Sequence, residues 1–481
     1  MNKIDFSQIK TLNNDANKQI NNYPGAAEFF SLNNIKKLEE PVSNTFNYRI
    51  KGDLNVLNQA RSGRCWLFAT LSMLRIKLIK KYKLNPNFKL SVNYLNFWSL
   101  LEKSNTFLYY IHKTKDKPLI NRELEFIFDE AIYEGGNWNF SSQLITKYGI
   151  IPASLMPETS ASKNSNKLLK ILNMKLGSFA QEIRSNNALP IKSYLQQIYE
   201  ILILFLGKPP LPYEKFLWDY ENNESSDNEN KSKIKENDES DSDEDSNNNG
   251  NIKHNKEINI IKKSNKTHKI NKNNTHKNTS KNELFHSFRG TPIELYKKCQ
   301  YKIEDYIILT NYPNLKTDCL YHFLYEKDII NQDYGVFNVD TNTIVDLAMK
   351  SIVNENTPVW IGVDFDQYFG GNYLSIPNFN KIFPFNIDTD KKNAFLYQRS
   401  TPNHAMIIRA VHVENNKPVR WLVHNSHGLS TGFSGEYPVD NPWFEKNVYE
   451  IVINKKLLSQ KQLKKYNQKP ITLNPWELYL T

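Results

Sequence analysis

The sequence predicts an α+β protein, with a helical half that carries a cysteine and a β-rich half that carries a histidine and an asparagine. Three observations point there. From Cys65 onward, Leu67, Leu71, Leu74 and Leu78 recur at three- and four-residue spacing with Phe68 and Met73 beside them, the period of a buried helix. The stretches Thr401–Val411 and Arg420–Ser426 are apolar, β-prone runs that read as neighbouring strands. Between these regions, Glu221–Asn282 changes abruptly to Asn/Ser/Asp/Glu-rich and then Lys/Asn/His-rich composition.

In chain order, residues 1–50 are polar with scattered apolar side chains such as Phe29, Phe30 and Leu32, and read as an arm wrapping the fold. The helix from Cys65 is expected to end near Tyr82–Pro86, and Leu90–Trp98 begins another. Glu123–Glu134 places Leu124, Ile127, Phe128 and Ala131 on one face, an amphipathic helix. Residues 161–220 read as helical and close on a strand at Phe216–Tyr220. The low-complexity segment 221–284 has too few apolar residues to offset its ordering entropy, which predicts a disordered insertion. Thr291 is placed as an N-cap with Pro292 at the first helical position. Ile344–Ile352 reads as a helix and Pro358–Asp364 as a buried strand.

At 481 residues, with 39% hydrophobic and 12% aromatic content, the chain can bury a sizeable core. Its opening Met1-Asn-Lys-Ile-Asp-Phe lacks a basic-then-apolar secretory pattern, and no apolar run reaches the ~18 residues of a membrane span. Three cysteines, Cys65, Cys299 and Cys319, make no disulfide framework, so a reduced, cytoplasmic setting is expected. The net charge is +11, yet residues 221–284 hold 12 Lys/Arg against 13 Asp/Glu, so the excess lies in the folded remainder. Without a dense basic block it reads first as a solubilising surface.

The chemistry sits in two motifs. In Asn58-Gln-Ala-Arg-Ser-Gly-Arg-Cys65-Trp66, the Ser62-Gly63 turn puts the thiol on the first turn of a helix, where the helix dipole favours a thiolate. Gln59, six residues upstream, can donate its side-chain amide to an oxyanion forming beside Cys65. The second motif, Thr401-Pro-Asn403-His404, opens a strand, so His404 projects into a cleft as the base a thiol nucleophile needs. Asn425 ends the next strand, where its carbonyl can orient that imidazole. His404, His424, His427 and Cys65 also allow a metal site, but without metal-type spacing around Cys65.

Gln59-x5-Cys65-Trp66 resembles the nucleophile segment of papain-like cysteine peptidases, and the wording from Asn58 to Trp66 is similar to the bleomycin hydrolase and aminopeptidase C branch. Gly135-Gly136-Asn137-Trp138 through Lys147–Pro152 to Pro157-Glu158, and Gly290–Tyr296, fit that branch in order and spacing. The resemblance implies a papain-like fold, with an arm (1–50), a helical catalytic half (51–160) and an inserted, mostly helical region (161–345). A β-barrel-like half (346–472) and a tail (473–481) lying in the cleft complete it. It implies a cytosolic aminopeptidase acting on peptides through a thioester, without metal or organic cofactor. Its catalytic residues are Cys65, His404, Asn425 and Gln59; those expected at the substrate are Gly135, Gly136, Asn403, Trp66 and Thr481. It further implies a homohexamer, and some members bind nucleic acid weakly in a basic central channel. The chain departs from the pattern at His427, where papain-like enzymes carry a Trp that shields the His–Asn bond, and in the sequence of the tail after Trp476. Two alternatives therefore stand beside the aminopeptidase: an endopeptidase with an open cleft, and a non-catalytic scaffold or nucleic-acid-binding ring.

Overall fold

A computed structural model describes residues 45–52, 54–129, 131–185, 188–221, 285–326, 335–365, 372–376 and 388–479. Most of the expected arm, the expected disordered insertion except Glu221, and Thr481 lie outside the described residues. Glu221 is not part of a loop: it ends a strand, paired with Phe285.

The helical half is built on α1 (Cys65–Tyr82) and α2 (Val92–Lys113). After them come α3 (Arg122–Phe128), α4 (Trp138–Tyr148), α5 (Ser160–Lys163), α6 (Asn166–Arg184) and α7 (Ile191–Leu206). α1 is central because it is apolar almost all round: Trp66, Leu67, Phe68, Leu71, Met73, Leu74 and Leu78 are all buried. α2 starts at Ser91, whose hydroxyl accepts the Tyr94 N–H. α3 is shorter than the expected Glu123–Glu134 helix. Its chain leaves helical geometry at Asp129, and the residues beyond turn Glu134 inward, where it is buried. α4 ends at Gly149 (φ +74°), where a Cβ would lie 2.1–2.3 Å from the backbone of Pro292 and Ile293, so only glycine fits. That contact seats α8 (Pro292–Lys298), whose Thr291–Glu294 capping box and leading Pro292 match the sequence expectation.

Strand β1 (Tyr48–Arg49) and nine later strands form a single ten-stranded sheet among the described residues; β2 (Phe216–Glu221) and β3 (Phe285–Gly290) make a separate hairpin. The sheet is not confined to 346–472. β4 (Tyr306–Thr310), β5 (Cys319–Phe323) and β6 (Val336–Asn338) belong to it, inside the region expected to be mostly helical. They are short runs of three to five residues, whose length hides their period. β7 (Val359–Val363), β8 (His404–Glu414) and β9 (Lys417–His424) run side by side, with β10 (Glu436–Asp440) at the edge beyond β9 and β11 (Val448–Asn454) joining β7 to β4. β12 (Ile471–Leu473) closes the far edge. α9 (Thr341–Val353) packs its buried face, Ile344, Leu347, Ala348 and Ile352, into the sheet core. β7 is buried at every position. Trp360 in it crosses to the helical half, edge-on to Trp138, with its Nε1 donating to the Trp66 carbonyl at 3.4 Å. The functional residues gather along this seam.

Candidate active site

Cys65 is the first residue of α1, and its sulfur lines a cleft of about 490 Å³ between the two halves. Gln59, Ser62, Gly63, Tyr133, Gly135, Gly136 and Asn137 form one wall. Trp360, Gly362, Pro402, Asn403, His404, Ala405 and Glu450 form the other. Gln59, Gly135, Gly136 and Asn403 are thus brought together with Cys65 and His404. Trp66 is not at the surface of the cleft. It is fully buried beneath Gly136, where a Cβ would meet its ring at 2.7–2.8 Å, and its Nε1 donates to the Glu134 carbonyl at 2.9 Å. Trp66 therefore offers no surface to the cleft, which the glycine above it lines instead.

Register explains how His404 and Asn425 meet. His404 opens β8 opposite Val363, and Ile407 of β8 pairs with His424, so the next residue, Asn425, returns beside the start of β8. His404 Nε2 and Asn425 Oδ1 are 2.7 Å apart, and the Ser426 N–H donates to the same Oδ1 at 2.8 Å. An atom that accepts a backbone N–H is the amide oxygen, so Nε2 carries the proton of that bond and Nδ1 is the nitrogen left for the thiol.

Burial pushes the Cys65 thiol up to about 11, offset in part by a backbone hydrogen bond from Ala405. The sequence expectation of a thiolate from the helix terminus alone is therefore incomplete. The desolvation of the sulfur outweighs the backbone hydrogen bonds that lower its pKa.

His427 lies against His404 with ring centroids 5.0 Å apart, and Phe365 covers the same imidazole at 4.9 Å. The pair fills the place expected of a single Trp. Burial, and next the charge of His404, lower the His427 pKa to about 4, so it is a neutral cover at pH 7. His424 points elsewhere, its Nδ1 3.2 Å from Glu436 Oε1. Among the described residues no group of three or more His, Cys, Asp or Glu is placed to hold a metal ion.

The segment before Cys65 is held from both sides. Gln59 N–H donates to the Ser426 carbonyl at 2.7 Å and its Oε1 accepts the Ser426 hydroxyl at 2.5 Å, tying it to the segment that carries Asn425. Gln59 Nε2 donates to the Ser62 carbonyl at 2.6 Å, one of its two N–H groups. Beneath, Glu134 accepts the Gly63 N–H at 2.7 Å, the Ser165 hydroxyl at 2.5 Å and the Asn96 amide at 3.2 Å. Arg64, fully buried, faces Glu134 at 3.6 Å and Glu158 at 2.8 Å. Lys103, also buried, donates to the carbonyls of Tyr133 (2.9 Å) and Gly135, with its Nζ 3.7 Å over the Tyr133 ring. Sequence reasoning missed Arg64, Lys103, Glu134, Phe365 and Glu450. Arg64, next to Cys65, and Glu134, next to the double glycine, stood in or beside a quoted motif.

A model of the Peptidase C1-like family matches residues 3–275 and 270–479. Aminopeptidase C of Listeria monocytogenes is 30% identical over 450 residues, 91% of this chain and 88% of the relative. Bleomycin hydrolase of Gallus gallus is 24% identical, over 88% of this chain and 85% of its own. Among solved structures, that of PepW from Lactobacillus rhamnosis HN001 superposes with a TM-score of 0.74 at 27% identity, over 97% of this chain and 98% of that one.

Proposed function

The chain belongs to the Peptidase C1-like family and is a papain-like cysteine aminopeptidase of the aminopeptidase C and bleomycin hydrolase group; on that premise we propose how its residues carry the reaction. Cys65 is the nucleophile. His404 Nδ1 takes the thiol proton, the thiolate attacks the carbonyl of the N-terminal residue, and the imidazolium returns the proton to the leaving amine. Asn425 holds the imidazole in the tautomer that this requires. The second N–H of Gln59 and the Cys65 backbone N–H receive the oxyanion, and water, activated by His404, hydrolyses the thioester. Gly135, Gly136 and Asn403 pair with the substrate backbone, the two glycines because nothing projects from them.

The observation that carries this reading is one cleft lined by Cys65 and by a His404 already bonded to Asn425 through Nε2. Leu478 packs against a cluster that includes Tyr312, whose hydroxyl donates to cleft residue Glu450. That supports a C-terminal tail, ending at Thr481, that restricts the enzyme to N-termini. A homohexamer in the cytoplasm follows from the family resemblance. Exposed apolar side chains on the 161–220 region, Met174, Leu204 and Tyr213, suit a subunit contact. Among the described residues no helix is long and apolar enough to cross a membrane.

The test is digestion of one peptide with a free and with an acetylated N-terminus, followed by mass spectrometry. Stepwise trimming of the free peptide only, lost in Cys65→Ala, is expected. Internal cleavage of both forms would favour the open-cleft endopeptidase instead.

A further inference from the structure

Glu450 lines the cleft, yet the reaction above gives it no task. It sits on β11 in register with Gly362 of β7, which in turn faces Ala405 of β8, the residue after His404. Neighbouring strands lie about 4.8 Å apart, so a side chain crossing β7 from β11 approaches the catalytic strand. Position 362 explains why it can cross. The φ of Gly362 is not positive, so its backbone does not call for glycine. A Cβ there would lie 2.5 Å from Glu450 Oε2, so the missing side chain is the space the carboxylate occupies.

The Tyr312 hydroxyl donates to Oε1 at 2.7 Å and fixes the group, while Oε2 has no hydrogen-bond partner among the described residues. Among the described residues lining the cleft, Glu450 is the one carboxylate, and no Lys or Arg lines it. A largely buried carboxylate with a single neutral donor is costly to keep ionised, and a cation entering the cleft removes that cost. We propose that Glu450 is a specificity-determining residue that receives a cationic nitrogen of the substrate's N-terminal residue. That nitrogen has two sources in such a substrate, the α-ammonium and the basic end of a Lys or Arg side chain. The assignment rests on the peptidase reading of Cys65 and His404.

The experiment compares the full chain with Glu450→Gln, measuring kcat and KM separately on fluorogenic amides of Ala, Leu, Lys and Arg. Inhibition by leucinal and by N-acetyl-leucinal, which needs no turnover, is read alongside. A charge-assisted contact of this kind predicts a loss of about 10- to 100-fold in kcat/KM, carried mainly by KM. If the α-ammonium is bound, all four amides lose equally and leucinal weakens while its acetylated form does not. If the side chain is bound, only the Lys and Arg amides lose. An active variant with the same kcat/KM on every amide and the same inhibition by both aldehydes overturns the proposal. So does an equal loss that extends to the acetylated aldehyde. Should Glu450→Gln fail to fold, Tyr312→Phe leaves the carboxylate in place but less readily ionised, and is expected to move the same ratio by a smaller factor. No movement there also overturns it. A wild type that hydrolyses none of the amides is a different result, and counts against the peptidase reading itself.

Discussion

Replacing Glu134 by Gln tests the idea that a buried carboxylate, far from the thiol in sequence, sets the position of the nucleophile turn. Glu134 Oε2 accepts Gly63 N–H and the Ser165 hydroxyl, and Oε1 faces the Asn96 amide and Arg64. An amide can offer an acceptor on one side only, so one of those pairs must confront an N–H₂ group. Arg64 keeps Glu158, but loses the second charge near it in an environment where its side chain is 1% exposed. Breaking part of a buried ionic network with two orphaned donors costs about 3–5 kcal/mol. Against a total stability of about 5–15 kcal/mol this is a large fraction. The loop from Gln59 to Arg64 also loses its anchor. A displacement of about 1 Å at the oxyanion site lowers kcat about 100-fold. The assay pairs a thermal unfolding midpoint, at fixed protein concentration, with kcat on a fluorogenic amino-acid amide. Asp346→Asn is the control: it pairs with Lys350 at 2.7 Å with both side chains well exposed, so it should cost about 1 kcal/mol or less. If Glu134→Gln matches the control in both readouts, the anchoring argument is wrong.

Gly136→Ala drives a Cβ to within 2.7–2.8 Å of the buried Trp66 ring, which its bond to Glu134 holds in place. Overpacking of this kind costs about 1–3 kcal/mol and pushes the Gly135–Gly136 edge into the cleft, so unfolding midpoint and kcat/KM should both fall. Equal values to wild type would mean that the ring yields. The folded-state pKa of His427 is depressed to about 4 from its ordinary 6.5, so between those values the unfolded chain binds the proton and the folded chain does not. Its contribution to stability is therefore present above pH 6.5 and lost as pH falls toward 4. His427→Phe should flatten that part of a plot of unfolding midpoint against pH. The slope left in the variant belongs to groups such as His424, which burial depresses in the same direction. A slope that does not change would show that His427 titrates freely.

What could be read from the sequence was whatever depends on neighbours along the chain. The helix from Cys65 announces itself by leucine spacing, and His404 and Asn425 by the strands they begin and end. The capping box at Thr291–Glu294 is equally local. The residues that hold the site were not legible because they arrive from distant positions: Glu134 comes to Gly63 across 71 residues, and Lys103 to Gly135 across 32. Phe365 follows a buried strand with nothing in the local pattern to mark it as a cover for His404. Trp66 was expected at the substrate from the family resemblance, whereas it is fully buried in the core. The same limit explains the overextended Glu123–Glu134 helix. Ala131 continues the apolar period, but the chain turns off at Asp129 to deliver Glu134. Strands β4–β6 were hidden by their length.

The most direct measurement is the rate of Cys65 alkylation by iodoacetamide from pH 4 to 11, in wild type and in His404→Ala. Burial pushes the Cys65 thiol up to about 11, and the proposed mechanism requires the imidazolium of His404 to bring it into the neutral range. Wild type should therefore react readily at neutral pH, while His404→Ala becomes reactive only in strongly alkaline solution and loses amide hydrolysis with it. If the two profiles coincide, Cys65 and His404 do not share a proton, and the catalytic pair at the centre of this account is not a pair.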